Sequence, residues 1–507
     1  MESGGKRIAK NTLYLYARML VMMLLGFFTT RIVLEKLGAS DYGVYNVVGG
    51  FVSMFMVLNS ILQSGTNRFL ALALGKGDKA YTKITFSTAL VIHILIAVIV
   101  LILLESFGLW FLNQQLNIPP ERLEAANWVF QFSVLSSMLG ITQTPYTASI
   151  TANERFNIYA YLSILDVVLK VVILYLLVVL PGDKLIVYAA LLFFCSVLNI
   201  AVTRIYCIRH FEESHFSLRV NKSLFKEMFV FSGWTLIGHL SAVLNGHGAN
   251  LLLNLFFGTL VNAARGLANT VTFTVKQFVG GFTIAAVPQL VKLYGNGDRD
   301  GFVKLIFNIS QVTLFLLAVF LVPVLLEIDF VLTLWLNEVP HYTASFIRIT
   351  LFLSFLSYSN YMIDQGVNAI GRVKELNLWV TPIYLLDLPL SYLVLKLGGS
   401  PTATYWVASL PMILGIFATM HLLKHYYGFP IRKYVVQIIV KNMALVCVAA
   451  LLPFGLQHYM ESGYIRFFIV CSLSVCTTIL LFWFFALNED NRKMVKSKIM
   501  NKINRKK

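Results

Sequence analysis

Arg18 lies two to three turns inside the first apolar segment of a chain of 507 residues. A charged side chain at the middle of a membrane helix costs about 2.5–3.5 kcal/mol unless it is paired or hydrated. Such a group therefore faces a bundle interior or a water-filled cavity. A guanidinium there suits an anion such as phosphate. The competing use is packing against a carbonyl or an acid. Arg31 follows thirteen residues later, about 20 Å further along the helix and on a different face. It sits close to the surface, where snorkelling accounts for it.

Three acids are placed as deeply. Asp166 and Lys170 stand at i, i+4 on one helical face, so they can pair. Asp387 lies between Pro382 and Pro389 without an obvious local partner. The strings Ile164-Leu165-Asp166 and Leu385-Leu386-Asp387 match across the chain. Symmetric intramembrane carboxyls are candidates for a proton or sodium site, and a structural pair with Lys170 is the alternative for Asp166. Asp364 is a further candidate.

The polar run Asn245-Gly246-His247-Gly248, continued by Asn250 and Asn254, interrupts an apolar helix. Such interruptions are tolerated where backbone lines a cavity. The next helix supplies Arg265, Lys276 and Gln277. Lys276 is the deepest cation of the second half and fits anion binding or pairing with an acid; the same holds for Arg265. His247 alone fits a hydrogen-bonded core residue as well as a functional one.

Nothing suggests an enzyme. Walker A, His-Glu-x-x-His and Gly-x-Ser-x-Gly sequences are missing, and the loops leave little room for a catalytic domain. No catalytic residue, metal ligand or cofactor is assigned. The five cysteines fall in or beside apolar runs, without metal or disulfide spacing.

The elements that position these residues are read from composition. Hydrophobic residues make up 58% of the chain and charged residues 13%, against about 25% charged in soluble domains. The mean hydropathy is +0.74. These values indicate an all-α polytopic membrane protein. A spanning helix needs about 20 mainly apolar residues. Segments that long fall at roughly 11–34, 43–66, 84–105, 125–149, 157–180, 185–208, 228–253, 260–290, 302–326, 345–370, 375–396, 402–424, 433–454 and 464–486. The pair Gly280-Gly281 is expected to bend the long segment, and Pro288-Gln289 to end it. The first segment reads as an uncleaved helix, because Arg18 interrupts it and no convincing small-residue cleavage site follows.

The net charge of +17 is explained by topology and does not point to nucleic acid. With fourteen helices most Lys and Arg fall on one side, which puts both termini in the cytoplasm. Gly75-Lys76-Gly77-Asp78 and Gly295-Asn296-Gly297-Asp298 then become equivalent cytoplasmic turns. Each is followed by an apolar run, an acid (Glu105 or Glu327) and a Leu/Trp/Asn motif, with the copies about 220 residues apart. Six helices separate the copies, so the halves are parallel repeats. The expected division, to about a few residues, is an N-lobe 1–208, an amphipathic linker 209–227, a C-lobe 228–430, two added helices in 431–486 and a basic tail 487–507. The tail is expected to meet anionic membrane lipids.

The pattern Asn11-Thr12, Arg18, Thr30-Arg31, Leu37-Gly38 and Asp41-Tyr42-Gly43-Val44-Tyr45 resembles Wzx-type polysaccharide and O-antigen flippases. So do Pro288-Gln289, Gly295-x-Gly-Asp298 and Ala369-x-Gly371-Arg372. These belong to the multidrug/oligosaccharidyl-lipid/polysaccharide exporter superfamily, with MurJ and the MATE transporters as relatives. The resemblance implies two pseudo-symmetric six-helix lobes in a V around a central cavity, with alternating access. It implies a multi-pass protein of the bacterial inner membrane that moves an undecaprenyl-diphosphate-linked oligosaccharide between leaflets. Cavity cations such as Arg18 would hold the diphosphate, with Arg265 and Lys276 on a helix where such flippases also place cations. Protons or sodium ions could drive the cycle, and a polysaccharide polymerase and chain-length machinery would be neighbours. The last two helices would form a lipid-facing groove. The alternative reading is a MATE-like cation-coupled drug antiporter, against which the deep cations argue.

Overall fold

The computed structural model describes residues 4–153, 155–217, 220–230, 244–284, 286–336 and 338–486; for residues 4–25 and scattered later positions it describes backbone alone. The regular elements among the described residues are helices. The fourteen expected segments fall mainly on helix; residues 231–243 and 285 within them lie outside the described residues. Among the described residues seven helices are long and apolar enough to cross a membrane, from Lys79–Gln114 to Tyr464–Ala486. The chain is an all-α polytopic membrane protein.

The repeated Gly-x-Gly-Asp sequences fold alike. The helix Val57–Gly75 is closed by Gly77, two residues beyond its end, whose N–H donates to the Leu74 carbonyl at 3.0 Å, and Val287–Gly295 by Gly297, whose N–H donates to the Tyr294 carbonyl at 3.0 Å. The aspartate of each turn then caps the following helix. That helix runs 36 residues in the first copy, Lys79–Gln114, and 37 in the second, Arg299–Trp335.

Helix ends differ from expectation where proline acts. The long segment, expected to end at Pro288-Gln289, stops at Ile284, and Pro288 stands in the first turn of the short helix Val287–Gly295. Proline has no N–H to donate four residues back, so the Ile284 carbonyl is where the ladder fails. Pro389 acts in the same way on Leu385. Val373–Leu385 stops there, and Asp387 starts a second limb, Asp387–Lys396. The first two expected segments are joined without a loop. Within Gly4–Phe55 two helices meet directly at Gly38, whose φ of 78° and ψ of 167° are not helical.

The described chain divides into two units. The first comprises Met1–Leu267 and Leu385–Thr404. Its interior packs Leu70, Phe86, Tyr146, Cys207 and Phe211 together, with Phe86 edge-on to Tyr146 at 5.1 Å. Arg122 joins two distant acids there. Its Nε and Nη2 donate to Asp41 at 2.7 and 2.5 Å, and Nη1 and Nη2 donate to Asp183 at 2.5 and 3.0 Å.

The second unit comprises Ala268–Tyr384 and Tyr405–Lys507. Buried polar pairs fasten its last two helices. Gln311 donates to Asn442 at 2.5 Å and Asn442 donates back at 3.1 Å. The Tyr434 hydroxyl donates to the Ser359 carbonyl at 2.6 Å and lies 2.7 Å from the Ser310 hydroxyl. Glu327, 1% exposed, receives Arg466 at 3.0 Å. Glu105, its counterpart in the repeat, receives the Gln131 amide at 3.1 Å and, among the described residues, no cation.

Candidate functional site

The polar interruption folds as a widened turn, Leu244–Gly248, that runs into the helix Ala249–Phe257. A widened turn leaves carbonyls poorly paired along the axis. One of them is used at once: Arg265 Nη2 donates to the Gly246 carbonyl at 3.2 Å. Arg265 is 7% exposed. Its charge also acts on His247 and on Asp387. Asp387 is buried and accepts from the Ser391 hydroxyl at 3.1 Å. The fold thus brings Arg265, His247 and Asp387 into one electrostatic group. Leu388 packs where a side chain on Gly248 would stand, which fixes the Asp387 limb against the turn.

Asparagines surround this group. Asn250 donates to the Asn46 carbonyl at 3.1 Å, and Asn262 donates to the Asn250 carbonyl and side-chain oxygen, both at 2.8 Å. Asn254 exchanges hydrogen bonds with the Asn117 backbone at 2.8 and 3.3 Å. Asn245 is half-buried on the same turn. Glycines let the strands of this network meet. A methyl on Gly266 would overlap the Asn46 side chain, and one on Gly43 the Thr259 carbonyl. The motif Asp41-Tyr42-Gly43 thereby gains a physical account: the acid binds Arg122 and the glycine admits a neighbouring backbone.

Lys276 lies on the same continuous helix as Arg265, Thr259–Ile284. Eleven residues separate them, which is about three turns, so they share a face. The Tyr358 hydroxyl donates to the Lys276 carbonyl at 2.9 Å. The Lys276 ammonium is half-buried, and among the described residues no acid pairs with it.

Asp364 occupies a separate cluster in the second unit. It accepts from Asn360 Nδ2 at 2.9 Å, with Thr419, Tyr384 and Tyr434 in electrostatic reach; the Thr419 hydroxyl itself donates to the Gly415 carbonyl at 2.9 Å. Among the described residues no cation pairs with it. Asp166 and Lys170 pair with each other at 2.7 Å, with both side chains nearly half exposed. Arg31 is exposed. Arg18 is on the helix Gly4–Phe55, but its side chain lies outside the described residues. Asn46, Asn262, Ser391, Asn360 and Thr419 were not singled out by sequence. Two of them carried a local signal, since Asn360 and Ser391 each stand four residues from an acid.

Comparison with known proteins extends this geometry. A family model described as polysaccharide biosynthesis protein matches residues 8–294, more than half the chain. No curated protein sequence matches significantly. Among solved structures, the lipid II flippase MurJ in an inward closed conformation aligns with a TM-score of 0.69 at 13% identity, covering 93% of this chain and 98% of that one. An inward-facing multidrug resistance MATE family transporter aligns at 0.68 and 14% identity, covering 80% and 95%. A superfamily transporter from Pyrococcus furiosus, described as having a binding pocket of reversed polarity, aligns at 0.58 and 14%, covering 82% and 95%. At these identities the likeness carries the fold. With the family match over more than half its length, the chain belongs to the polysaccharide biosynthesis protein family and is built on the helical fold of the multidrug/oligosaccharidyl-lipid/polysaccharide exporters.

Proposed function

We propose that the chain flips an undecaprenyl-diphosphate-linked oligosaccharide, an O-antigen or capsule repeat unit, from the inner to the outer leaflet of a bacterial cytoplasmic membrane by alternating access. The observation that carries this reading is the pair Arg265 and Lys276 on one face of one helix, in a member of a polysaccharide biosynthesis family. Two cations along a face suit a polyanionic headgroup passing along it, with Arg18 as a third contact. Residues 1–208 and 228–430 serve as the lobes in this reading, joined through 209–227, with both termini in the cytoplasm. The polysaccharide polymerase and chain-length machinery receive the product.

Asp387 supplies a route to coupling. While ionised it competes for Arg265. A proton on Asp387 removes that competition and leaves the guanidinium to the diphosphate. Asp364 is a second coupling candidate, since a carboxylate beside Asn360 and Thr419 oxygens can hold a proton or a sodium ion. Asp166 and Lys170 form a self-compensated pair and contribute less.

Asp364 also favours a second reading, a MATE-like cation-coupled antiporter. A reconstituted assay decides between them. Vesicles carrying the protein are given a fluorescent undecaprenyl-diphosphate oligosaccharide or a cationic dye. Flipping of the lipid, lost in Lys276→Ala, is expected; transport of the dye alone would sink the flippase reading.

A further inference from the structure

The helices Ala403–Tyr427 and Ile431–Tyr459 meet at Gly428-Phe429-Pro430, and a cavity of about 630 Å3 opens at this joint. Lys424, Arg432 and Lys433 line it together with Phe429, Ile431 and Val436, and no acid does among the described residues. The walls are fixed. The Gly428 N–H donates to the Lys424 carbonyl at 2.7 Å, and Arg299 donates to the Gly428 carbonyl at 3.1 Å. Phe429 and Tyr434 are fully buried beneath.

The three cations form no hydrogen bond or ion pair through their side chains with any described residue. A second pocket, at the start of Lys79–Leu103, is different: Lys79 and Lys83 face Glu212 there, and Lys79 pairs with that acid at 2.9 Å. One basic pocket is neutralised from within and the other is not.

Cations at helix ends also arise from topology alone. Two features go further. The three charges converge on a concavity, and one of its walls is apolar. From Val436 the exposed apolar face continues one turn on to Val440, each 55% exposed, along a helix long and apolar enough to span. A lipid whose chain lies on that face would place its headgroup in the cavity.

We propose that this joint binds the phosphate headgroup of a membrane lipid, either an anionic phospholipid or a polyprenyl diphosphate. The proposal needs only that the chain spans a membrane, so it stands or falls apart from the flipping reading.

Native mass spectrometry of the full-length chain in detergent provides the test. The probes are dioleoylphosphatidylglycerol and geranylgeranyl diphosphate, with dioleoylglycerol as the phosphate-free control. Lys424→Gln/Arg432→Gln/Lys433→Gln should weaken at least one phosphate lipid by about tenfold or more, since each basic residue near a membrane surface contributes measurably to anionic-lipid affinity. Lys79→Gln/Lys83→Gln should change it by less than about twofold. Weakening of the diphosphate alone assigns the site to polyprenyl lipid, of phosphatidylglycerol alone to phospholipid, and of both to the shared phosphate. Equal weakening by the two charge variants, no weakening by the first, or equally tight binding of dioleoylglycerol would overturn the proposal. Should the triple variant not fold, Lys433→Gln alone should weaken binding about threefold and Lys433→Arg should restore it; no change in Lys433→Gln overturns it equally.

Discussion

Gly77 and Gly297 hold the same left-handed backbone, with φ of 70° and 69°. Each is followed by an aspartate that caps the next helix. Asp78 accepts from the Tyr81 N–H at 3.0 Å and Asp298 from the Gly301 N–H at 2.8 Å. The repeat in the sequence is therefore a repeat of conformation: the glycine turns the chain out of one helix and the carboxylate starts the other.

Alanine at either glycine should destabilise the protein by about 1–2 kcal/mol, the cost of a left-handed L-residue. Asp78→Ala and Asp298→Ala should each cost about 1 kcal/mol through the lost cap. Thermal unfolding of purified variants reads both. Unchanged stability in Gly77→Ala and Gly297→Ala would mean that the turn relaxes at no cost.

Gly43 and Gly49 offer a paired test on one helix. A methyl at Gly43 overlaps the Thr259 backbone carbonyl, whereas one at Gly49 meets nothing within 4 Å. Gly43→Ala should cost about 1–3 kcal/mol through overpacking, and Gly49→Ala should gain up to about 1 kcal/mol through helix propensity. Similar melting temperatures for the two variants would contradict the close approach.

The Arg122 clamp makes a pH prediction. Hydrogen bonds from Arg122 hold the Asp183 carboxyl below its ordinary range, and the acids in turn push Arg122 upward. Burial outweighs the arginine at Asp41 and pushes that carboxyl up. A depressed carboxyl stabilises the fold fully above its unfolded pKa, near about 4, and loses that contribution as pH falls through the folded value. Asp41 acts with the opposite sign. Wild type should thus lose the Asp183 contribution below about pH 4, and Asp183→Asn should flatten that part of the melting curve. A wild-type curve already steep between about pH 6 and 5 would point to another group.

Asp387→Asn and Asp364→Asn should leave protein abundance unchanged and alter the dependence of transport on ion gradients. The measurement is lipid flipping in vesicles with imposed proton, sodium or voltage gradients. Wild-type responses in both variants would make these acids structural.

Much of the fold was legible because hydropathy and charge act over a single segment. Helix positions followed from apolar runs, and the Gly-x-Gly-Asp turns from their own residues. The end of the long segment was read a few residues late, at Pro288-Gln289, because the missing proline N–H acts on the Ile284 carbonyl four residues earlier. The site was less legible. The i, i+4 neighbours Asp387–Ser391 and Asp166–Lys170 could be read from spacing. Asn250 meeting Asn46, or Arg122 meeting Asp41 and Asp183, depends on which helices pack together, and one sequence does not encode that locally.

Glu327 and Arg466 are made at different times. The acid is added 139 residues before its arginine. Until then a carboxyl that ends fully buried has no cation, at a cost of a few kcal/mol if it sits in lipid. A chain shortened before Tyr464 therefore lacks Arg466 and leaves the buried Glu327 carboxyl without its cation, so the final helix completes the charge balance of a helix made long before it.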